Sequence, residues 1–440
     1  MTVDKYERQF ENSAKQEQRS PAQRDRDRLL YSSAFRRLAG VTQVVGPLEG
    51  HIFHNRLTHT LEVAQVARRL AEKLSREHPV LARRLGGVDA DVVEAAALAH
   101  DLGHPPFGHV AETELDRLAR EHGDPDGFEG NAQSFRIISR LSAHRAPERY
   151  YGLNLTRATL NATLKYPWFR NLRDKTHKEY KKFGAYRSDA SAFRFARAAW
   201  QRSSAQSIEA SIMDYADSTA YSVHDLDDFV RAGLISVEYL KHDTQAFDRF
   251  LADWIGAKRV TKEQVEKYRE RLLDLLWLAV PQSEPFTGTF SERAARRTAT
   301  SSLIDEFINA VRLTGGGLSI PEGVRIEQGF LQRIVWTQVI TAPSLATQHV
   351  GQKQVINRLF STYLSAVTRR EREVIPQAYL EELSRLPEKG VTKRKTRKPT
   401  TAEVRLAVDM VASLTDSQAL LLNARFSGIG LGSVSDMLLA

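Results

Sequence analysis

The sequence predicts a mainly α-helical protein, because apolar residues recur at intervals of three and four along much of the chain. This spacing is clearest in five stretches, 57–74, 92–102, 111–119, 208–223 and 404–414. Strand signals are sparse by comparison. The best candidate is a short β-hairpin near the N-terminus, from Val41 to Ile52, with Gly46, Pro47 and Gly50 as turn residues. We therefore expect a helical fold with this short hairpin and a helical C-terminal region.

The predicted helices and their connections divide the chain into five segments. A polar N-terminal segment, 1–20, precedes a core at 21–235, which contains the first four periodic stretches and a loop-rich insertion at about 141–205. A helical region at 236–388, a basic linker or loop at 389–402 and a C-terminal helical segment at 403–440 follow. The insertion is rich in Arg, Lys, Tyr and Trp, so we expect phosphate contacts there.

The composition is that of a globular protein with an excess of positive charge. Of its 440 residues, 42% are hydrophobic and 27% are charged, and 63 Lys and Arg oppose 54 acidic residues. This excess favours polyanionic ligands without choosing among nucleotides, nucleic acid and phosphate. The basic run from Lys389 to Lys398 is either a solvated segment or a contact for such a ligand. The absence of cysteine excludes disulfides, thiolate metal ligands and cysteine nucleophiles.

No targeting or membrane signal is visible in the sequence. The first twenty residues are polar and mixed in charge, and the longest apolar stretch, 272–280, is too short to span a bilayer. We therefore expect a cytoplasmic protein with no membrane partner.

The most informative segment is His-Asp-Leu-Gly-His-Pro-Pro-Phe-Gly-His at 100–109. His100 and Asp101 are adjacent at the end of a predicted apolar helix, and His104 and His109 follow across a Gly/Pro turn. Imidazole and carboxylate together are the ligands expected for Mn, Fe or Mg, whereas structural zinc sites more often use thiolates. The alternative is one buried histidine with hydrogen-bonded neighbours. The density of such groups favours a metal site.

Two further patterns add candidate residues. Arg56 lies one helical turn before His59, which sets a guanidinium able to bind phosphate beside a potential metal ligand, although such a pair is common on helices. Asp217, Tyr221 and Asp225 are spaced i, i+4 and i+8, so they share one stripe of a helix. Burying two carboxylates there would be unfavourable unless a cation or ligand satisfied them, and a solvated acidic face is the alternative.

Taken together, His59, His100, Asp101 and Asp217 resemble the pattern of the HD superfamily of metal-dependent phosphohydrolases, which implies an HD-domain helical fold. The resemblance is closer to the bacterial deoxyguanosinetriphosphate triphosphohydrolases and their dNTPase-like relatives, in the segments 27–38, 42–44, 56–65, 128–134 and 165–167. A weaker similarity, Arg405 to Asp416, extends it almost to the C-terminus.

The resemblance implies hydrolysis of a deoxynucleoside triphosphate (dNTP) at the α-phosphorus, which releases the deoxynucleoside and triphosphate, with dGTP as a substrate. The four HD residues would bind a divalent metal (Mn, Mg or Fe) that acts as a Lewis acid. His109 would protonate the departing 5′ oxygen, and Glu112 would orient its imidazole. His104 would lie close to the α-phosphate and assist with charge.

The resemblance also implies substrate contacts. Arg56, Lys165 and Lys182 would bind the phosphates. Tyr221 would pack against C2′ and leave no space for a ribose hydroxyl, while Gln43 and Asp225 would bond the 3′ hydroxyl. Two further substrate-binding candidates, Val44 and Tyr166, lie in the matched Thr-Gln-Val and Lys-Tyr-Pro segments. The chain departs from the pattern at Ser218, where many relatives carry a second Asp.

Two alternative functions remain open. One is another HD phosphohydrolase, acting on a guanosine tetraphosphate alarmone or a nucleoside monophosphate, although alarmone hydrolases typically have an acidic Glu-Asp pair where this chain has His104-Pro105-Pro106. The other is a nucleotide sensor or single-strand DNA binder, which would not need a general acid such as His109. By resemblance, we expect a homo-oligomer, specifically a hexamer. Single-stranded DNA or a regulatory nucleotide as a further partner is compatible with dNTP hydrolysis and with another HD phosphohydrolase activity.

Overall fold

The mainly helical fold is confirmed. The computed structural model describes residues 3–10, 18–43, 54–143, 152–200, 204–281, 286–340, 343–387 and 397–429. Within these ranges the chain forms twenty α-helices and one two-stranded sheet. None of the described helices is both long and apolar enough to cross a membrane.

The four residues of the HD pattern lie within or directly after helices of the first 231 residues. They are α1 (Pro21–Leu30), α2 (Ser33–Arg37), α3 (Arg56–Glu77), α4 (Pro79–Arg84), α5 (Ala90–Ala99), α6 (His109–Glu121), α7 (Gly130–Arg136), α8 (Arg157–Ala162), α9 (Lys178–Lys181), α10 (Ala190–Arg197) and α11 (Ile208–Arg231). Short 3₁₀ segments cover Leu38–Gly40, Arg187–Asp189 and Ala198–Trp200, and a π-helical turn covers Ile137–Leu141.

Nine helices follow α11 in the described residues. They are α12 (Glu238–His242), α13 (Thr244–Gly256), α14 (Lys262–Ala279), α15 (Phe290–Ala310), α16 (Glu322–Val335), α17 (Pro343–Arg369), α18 (Leu380–Arg385), α19 (Thr401–Ala412) and α20 (Asp416–Phe426). A π-helical turn covers Trp336–Ile340, and a 3₁₀ turn covers Gln377–Tyr379.

The hairpin that the structure describes lies between α15 and α16. Strands β1 (Arg312–Thr314) and β2 (Gly317–Ser319) pair antiparallel, with Leu313 opposite Leu318. The sequence contains no strong strand signal there. Most of the hairpin predicted at 41–52 lies outside the described residues, which leave out 44–53.

Side-chain caps define where the site-bearing helices begin. The side chain of Asn55 accepts a hydrogen bond from the Thr58 amide at the start of α3, and Ser207 does the same for Ala210 at the start of α11. Asp89 caps α5 in the same way. These caps satisfy amides that have no partner within the helix, so each helix has a defined first turn.

Two large hydrophobic clusters form most of the core of the described residues, and the candidate site lies where the chain passes from one to the other. The larger cluster includes the buried faces of α1, α3, α5 and α11 together with residues from α13 to α16. The smaller cluster joins α6 to α17, α19 and α20. Leu102 belongs to the first cluster and Phe107 to the second. The His-Asp segment therefore connects the two packed halves.

Candidate active site

Three side chains from three different parts of the fold converge as a candidate metal centre. The Nε2 atoms of His59 (α3) and His100 (just after α5) lie 3.3 and 3.5 Å from Oδ1 of Asp217 (α11). Ligand atoms held about 2.1 Å from one ion lie roughly 3 to 4 Å apart, so this spacing fits a shared cation. All three ligand atoms lie within 4.8 Å of one another.

His100 provides the strongest indication that the cluster fits a metal ion. Its Nδ1 lies 2.6 Å from the carbonyl oxygen of Ala97, which fixes the ring and makes Nδ1 the protonated nitrogen. Its Nε2 is buried and has no hydrogen-bond partner among the described residues. A buried ring nitrogen without a hydrogen-bond partner is unfavourable, and a cation held between it and the nearby carboxylates would satisfy it.

Asp101 lies beside this cluster but is held by two other side chains. Arg56 Nη1 donates a hydrogen bond to its Oδ2 at 2.7 Å, and His104 Nδ1 lies 3.0 Å from its Oδ1. Burial alone would raise the pKa of Asp101, but His100, His104 and Arg56 lower it well below its usual range. Oδ1 of Asp101 is 3.4 Å from His100 Nε2. Asp101 is thus an ionised carboxylate at the edge of the cluster.

His109 and Glu112 form a hydrogen-bonded pair at the N-terminus of α6. Nδ1 of His109 lies 2.7 Å from Oε2 of Glu112, and the imidazole is 72% exposed, whereas Glu112 is buried. Burial would raise the pKa of Glu112, but the His109 hydrogen bond and the Lys182 charge lower it well below its usual range. Because an ionised carboxylate only accepts, His109 Nδ1 is the donor and its Nε2 is free to face a ligand.

His104, His109 and Glu112 also lie close enough together to form a second group of potential metal ligands. The ammonium group of Lys182 lies 3.2 Å from Oε1 of Glu112, and the Gly130 amide donates to the same oxygen. This positive charge opposes a second cation at the same carboxylate. Burial and Arg56 lower the pKa of His104 to about 4.

The backbone around the His-Asp segment is held by contacts from distant parts of the chain. The Ser134 hydroxyl donates to His100 O and accepts from the Gly103 amide. Arg37 donates to His104 O at 2.8 Å. Phe107 has φ 65°, a left-handed conformation that is rare for an aromatic residue, and Asp416 Oδ1 accepts its amide at 2.9 Å. The segment is therefore fixed in position before a ligand binds.

One cavity of about 370 Å³ collects most of the predicted site residues. It is lined by the predicted residues Gln43, Arg56, His59, His100, Asp101, His104, His109, Lys165, Tyr166, Lys182, Asp217 and Tyr221. Lys165 Nζ lies 3.0 Å from Asp217 Oδ2 and 2.7 Å from Asp214 Oδ1. The cavity thus combines the candidate metal centre, the His109 imidazole and three basic side chains.

Two predicted residues do not line the cavity, and a third lies outside the described residues. Glu112 does not line the cavity but lies behind His109. Asp225 does not line it either: it is 3% exposed, and burial together with the charge of Asp228 raises its pKa well above the usual range. One oxygen of Asp225 has no hydrogen-bond partner among the described residues. Val44 lies outside the residues that the structure describes.

The cavity is also lined by residues that the sequence does not predict as catalytic, substrate-binding or metal-binding. These are Thr42, Phe107, Val110, Asn131, Ser218, Gln332 and His349. Gln332 (α16) and His349 (α17) come from more than 100 residues beyond Asp217 and lie in stretches with no motif. Thr42, Val110 and Ser218 are direct neighbours of predicted residues, and Phe107 lies within the segment 100–109, so the local motifs could have indicated them.

Comparison with known proteins finds related sequences along most of the chain. The HD domain model matches residues 56–222, and the phosphohydrolase-associated domain model matches 318–425. A deoxyguanosinetriphosphate triphosphohydrolase-like protein of Streptomyces coelicolor is 36% identical over 93% of both chains. This chain belongs to that family. A protein of the same name from Corynebacterium diphtheriae is 35% identical over 80% of this chain and 82% of its own, and one from Caulobacter vibrioides is 44% identical over half of each.

Membership confirms the resemblance recognised from the motifs. The HD match begins at Arg56 and ends just after Tyr221, so it contains the three clustered residues His59, His100 and Asp217. The phosphohydrolase-associated match contains Gln332, His349 and Asp416, which reach the same cavity or its backbone from the second half of the chain. Both matched regions therefore contribute to one site.

Proposed function

We propose that this protein is a metal-dependent dNTP triphosphohydrolase, which cleaves at the α-phosphorus and releases the deoxynucleoside and triphosphate, with dGTP among its substrates. The observation that carries the proposal is a single cavity in which the His59–His100–Asp217 cluster, the His109–Glu112 pair and basic side chains meet. The names of the relatives support the same substrate class.

A divalent cation, Mn, Mg or Fe, would be held by His59, His100 and Asp217, with Asp101 as the adjacent carboxylate. Two imidazoles with carboxylates suit these metals. When bound, such an ion supplies Lewis-acid stabilisation of charge on the phosphate. The carbonyl of Ala97 holds His100 so that Nε2 remains available as a ligand.

Binding of the triphosphate is assigned to Arg56, Lys165 and Lys182, which line the cavity around the cluster. A dNTP carries about four negative charges at neutral pH, and cations fixed in a partly enclosed site stabilise such charge better than water does. Arg56 and Lys165 are already oriented by Asp101 and Asp217, at 2.7 and 3.0 Å. Their positions therefore need little rearrangement when the substrate binds.

His109 is the proposed general acid for the departing 5′ oxygen. Glu112 holds Nδ1, and Nε2 of the protonated imidazole would donate the proton to the leaving oxygen. Glu112 stabilises that imidazolium by its negative charge, and Lys182 and the Gly130 amide keep Glu112 in place. His104, whose ring lies 5.4 Å from that of His109, would lie beside the reacting phosphate.

Selection of deoxyribose is assigned to Tyr221. Its ring lines the cavity one helical turn beyond Asp217, where it would pack against C2′ and exclude a ribose hydroxyl. Gln43, whose Oε1 is buried without a hydrogen-bond partner among the described residues, is proposed to accept the 3′ hydroxyl. Asp225 also has a carboxyl oxygen without a hydrogen-bond partner among the described residues, but it does not line the cavity, so a contact with the 3′ hydroxyl would require it to move.

The direct test is incubation of metal-loaded protein with each dNTP and with GTP, followed by chromatography for nucleoside and inorganic triphosphate. We expect deoxynucleoside and triphosphate in equal amounts from dNTPs and little product from GTP. Release of pyrophosphate or single phosphates in place of triphosphate would contradict cleavage at the α-phosphorus. Binding without any product would favour a nucleotide sensor.

A matched pair of variants separates catalysis from general effects on the fold. His242, like His109, lies beside a glutamate on a helix, with Nε2 3.3 Å from Glu238, and it does not line the cavity. His109→Ala should lose turnover while His242→Ala retains it. Equal activity in the two variants would remove His109 from the mechanism.

A further inference from the structure

A second cavity, of about 550 Å³, lies where α3, α11 and α15 meet. Five arginines line it: Arg69 from α3, Arg231 from α11, and Arg293, Arg296 and Arg297 from α15. Its volume falls within the usual range for small-molecule sites. Its chemistry is unlike that of a typical apolar pocket, because guanidinium groups are its most frequent polar lining.

The arrangement on α15 concentrates positive charge on one face. Arg293, Arg296 and Arg297 are spaced i, i+3 and i+4, so their side chains are neighbours on the helix surface. Arg296 also shares the buried stripe of α15 with Ala299 and Leu303 and is 3% exposed. A guanidinium at a buried position of a helix loses its hydration, so it requires hydrogen-bond partners that compensate for this loss.

The hydrogen bonds of Arg296 leave part of it unsatisfied. Its Nε donates to Asp227 Oδ1 at 2.7 Å, and its Nη2 donates to the Asp227 carbonyl at 3.4 Å. Its Nη1 is buried and has no hydrogen-bond partner among the described residues. Because Arg296 lines the cavity, an anionic oxygen there would complete its hydrogen bonding.

The acidic residues of the cavity are already paired. Asp227 binds Arg296 and lies 3.7 Å from Arg231, and Asp305 binds Arg69 at 3.1 Å. Glu62 is shared by His54 and His224, at 3.0 and 2.7 Å. By contrast, Arg293 and Arg297 are exposed, and neither forms an ion pair within the part of the chain that the structure describes.

We propose that this cavity binds the phosphate groups of a small molecule, at a site separate from the proposed active site. Arg293, Arg297 and Nη1 of Arg296 would provide charged donors, and the hydroxyls of Thr300 and Ser301 line the same space. Guanidinium groups suit phosphate because their paired N–H donors match two phosphate oxygens. The proposal does not depend on the reaction proposed above.

The second cavity shares two helices with the candidate metal centre. Glu62 follows His59 by three residues on α3, and His224 follows Asp217 by seven residues on α11. At about 1.5 Å per residue, these separations are about 4.5 and 10 Å along the helix axes. The Glu62–His224 contact, at 2.7 Å, joins the same two helices at the second cavity.

The test is calorimetric titration of the full chain in EDTA, with inorganic triphosphate and with dGTP as probes. In the double variant Arg293→Glu/Arg297→Glu we expect at least tenfold weaker binding at one site, because two favourable charges become repulsive. Arg249→Glu/Arg369→Glu is the matched control, since these arginines are 68% and 67% exposed and lie outside the cavity. Arg293→Lys/Arg297→Lys, which keeps the charge, should retain most of the affinity.

A second comparison separates this site from the active-site cavity, where the same probes would bind through Lys182. Lys182→Ala should weaken the other binding event and leave the one that depends on Arg293 and Arg297. Equal weakening for triphosphate and dGTP assigns the site to phosphate alone. Weakening of both that is larger for dGTP adds the nucleoside to what the site recognises, whereas weakening for dGTP alone would contradict a phosphate site. Unchanged binding of both probes in a folded Arg293→Glu/Arg297→Glu variant would overturn the proposal and leave the proposed reaction unaffected.

Discussion

Asp416, at the start of α20, joins the C-terminal region to the cavity, and its removal should destabilise the protein strongly. Its carboxylate accepts the backbone amides of Thr42 at 3.1 Å and of Phe107 at 2.9 Å, and it also accepts the Thr42 hydroxyl. All three residues are buried, at 5%, 7% and 6% exposure. Water therefore cannot replace the lost acceptor.

The magnitude follows from these contacts. Asp416→Ala leaves two buried amides without an acceptor, at about 1–3 kcal/mol each, so we expect a loss of about 2–6 kcal/mol in the free energy of unfolding. Asp416→Asn keeps one acceptor oxygen and should lose roughly half as much. Because Thr42 and Phe107 line the cavity, KM for dGTP should also rise in both variants.

Urea denaturation followed by far-ultraviolet circular dichroism measures this loss. Asp243→Ala is the matched control, because Asp243 also accepts two backbone amides, at 2.8 and 3.0 Å, but is exposed at the start of α13. There we expect only the usual loss of a helix cap, about 0.5–2 kcal/mol. If Asp416→Ala is no more destabilising than Asp243→Ala, burial of the two amides does not determine the effect.

Four further predictions concern the site and its surroundings. His100→Ala should lose bound metal and turnover, whereas His122→Ala, which removes a similar hydrogen bond to a backbone carbonyl, should keep both when metal is measured by elemental analysis. His109→Ala should keep its metal but lose about a hundredfold or more in kcat, and a substrate with a better leaving group should recover much of this; no recovery would exclude proton donation. Tyr221→Ala should reduce the preference for dGTP over GTP in product assays, and lowered thermal stability with an unchanged preference would indicate a packing role only. Burial would lower the pKa of His54, but hydrogen bonds to Asp228 and Glu62 raise it to about 10. The free energy of unfolding should therefore fall as pH rises from about 6.5 to 10, and it should fall less in His54→Gln. Identical pH profiles of the two proteins would contradict this.

The helices could be predicted from the sequence because their signals are local. The periodic stretches 57–74 and 208–223 lie within α3 and α11, and each helix begins at a polar cap that satisfies its first amides. The His-Asp segment is likewise local. Bringing His59 and Asp217 together is different, because 158 residues separate them. Periodicity carries no information on such pairing, and the expectation came from the family resemblance.

Asp225 shows where a helical stripe stops being a reliable guide. Residues spaced by four rotate about 40° around the helix axis, so Asp225 is turned about 80° from Asp217. Asp217 and Tyr221 line the cavity, but this rotation directs Asp225 into the buried region next to Asp228. The negative charge nearby and the burial together raise its pKa. The spacing therefore predicts the first two positions of the stripe better than the third.

The C-terminal contribution to the site could not be derived from local patterns, because it depends on contacts between helices that are far apart in the sequence. Gln332 and His349 lie in ordinary helical stretches, and only the packing of α16 and α17 brings them to the cavity. Asp416 is 374 residues from Thr42, yet the weak similarity ending at Asp416 did indicate that position. The role of Asp416 follows from the residues that it contacts elsewhere in the fold. Here those partners are backbone amides that shape the cavity, so stability and substrate binding should change together when Asp416 is replaced.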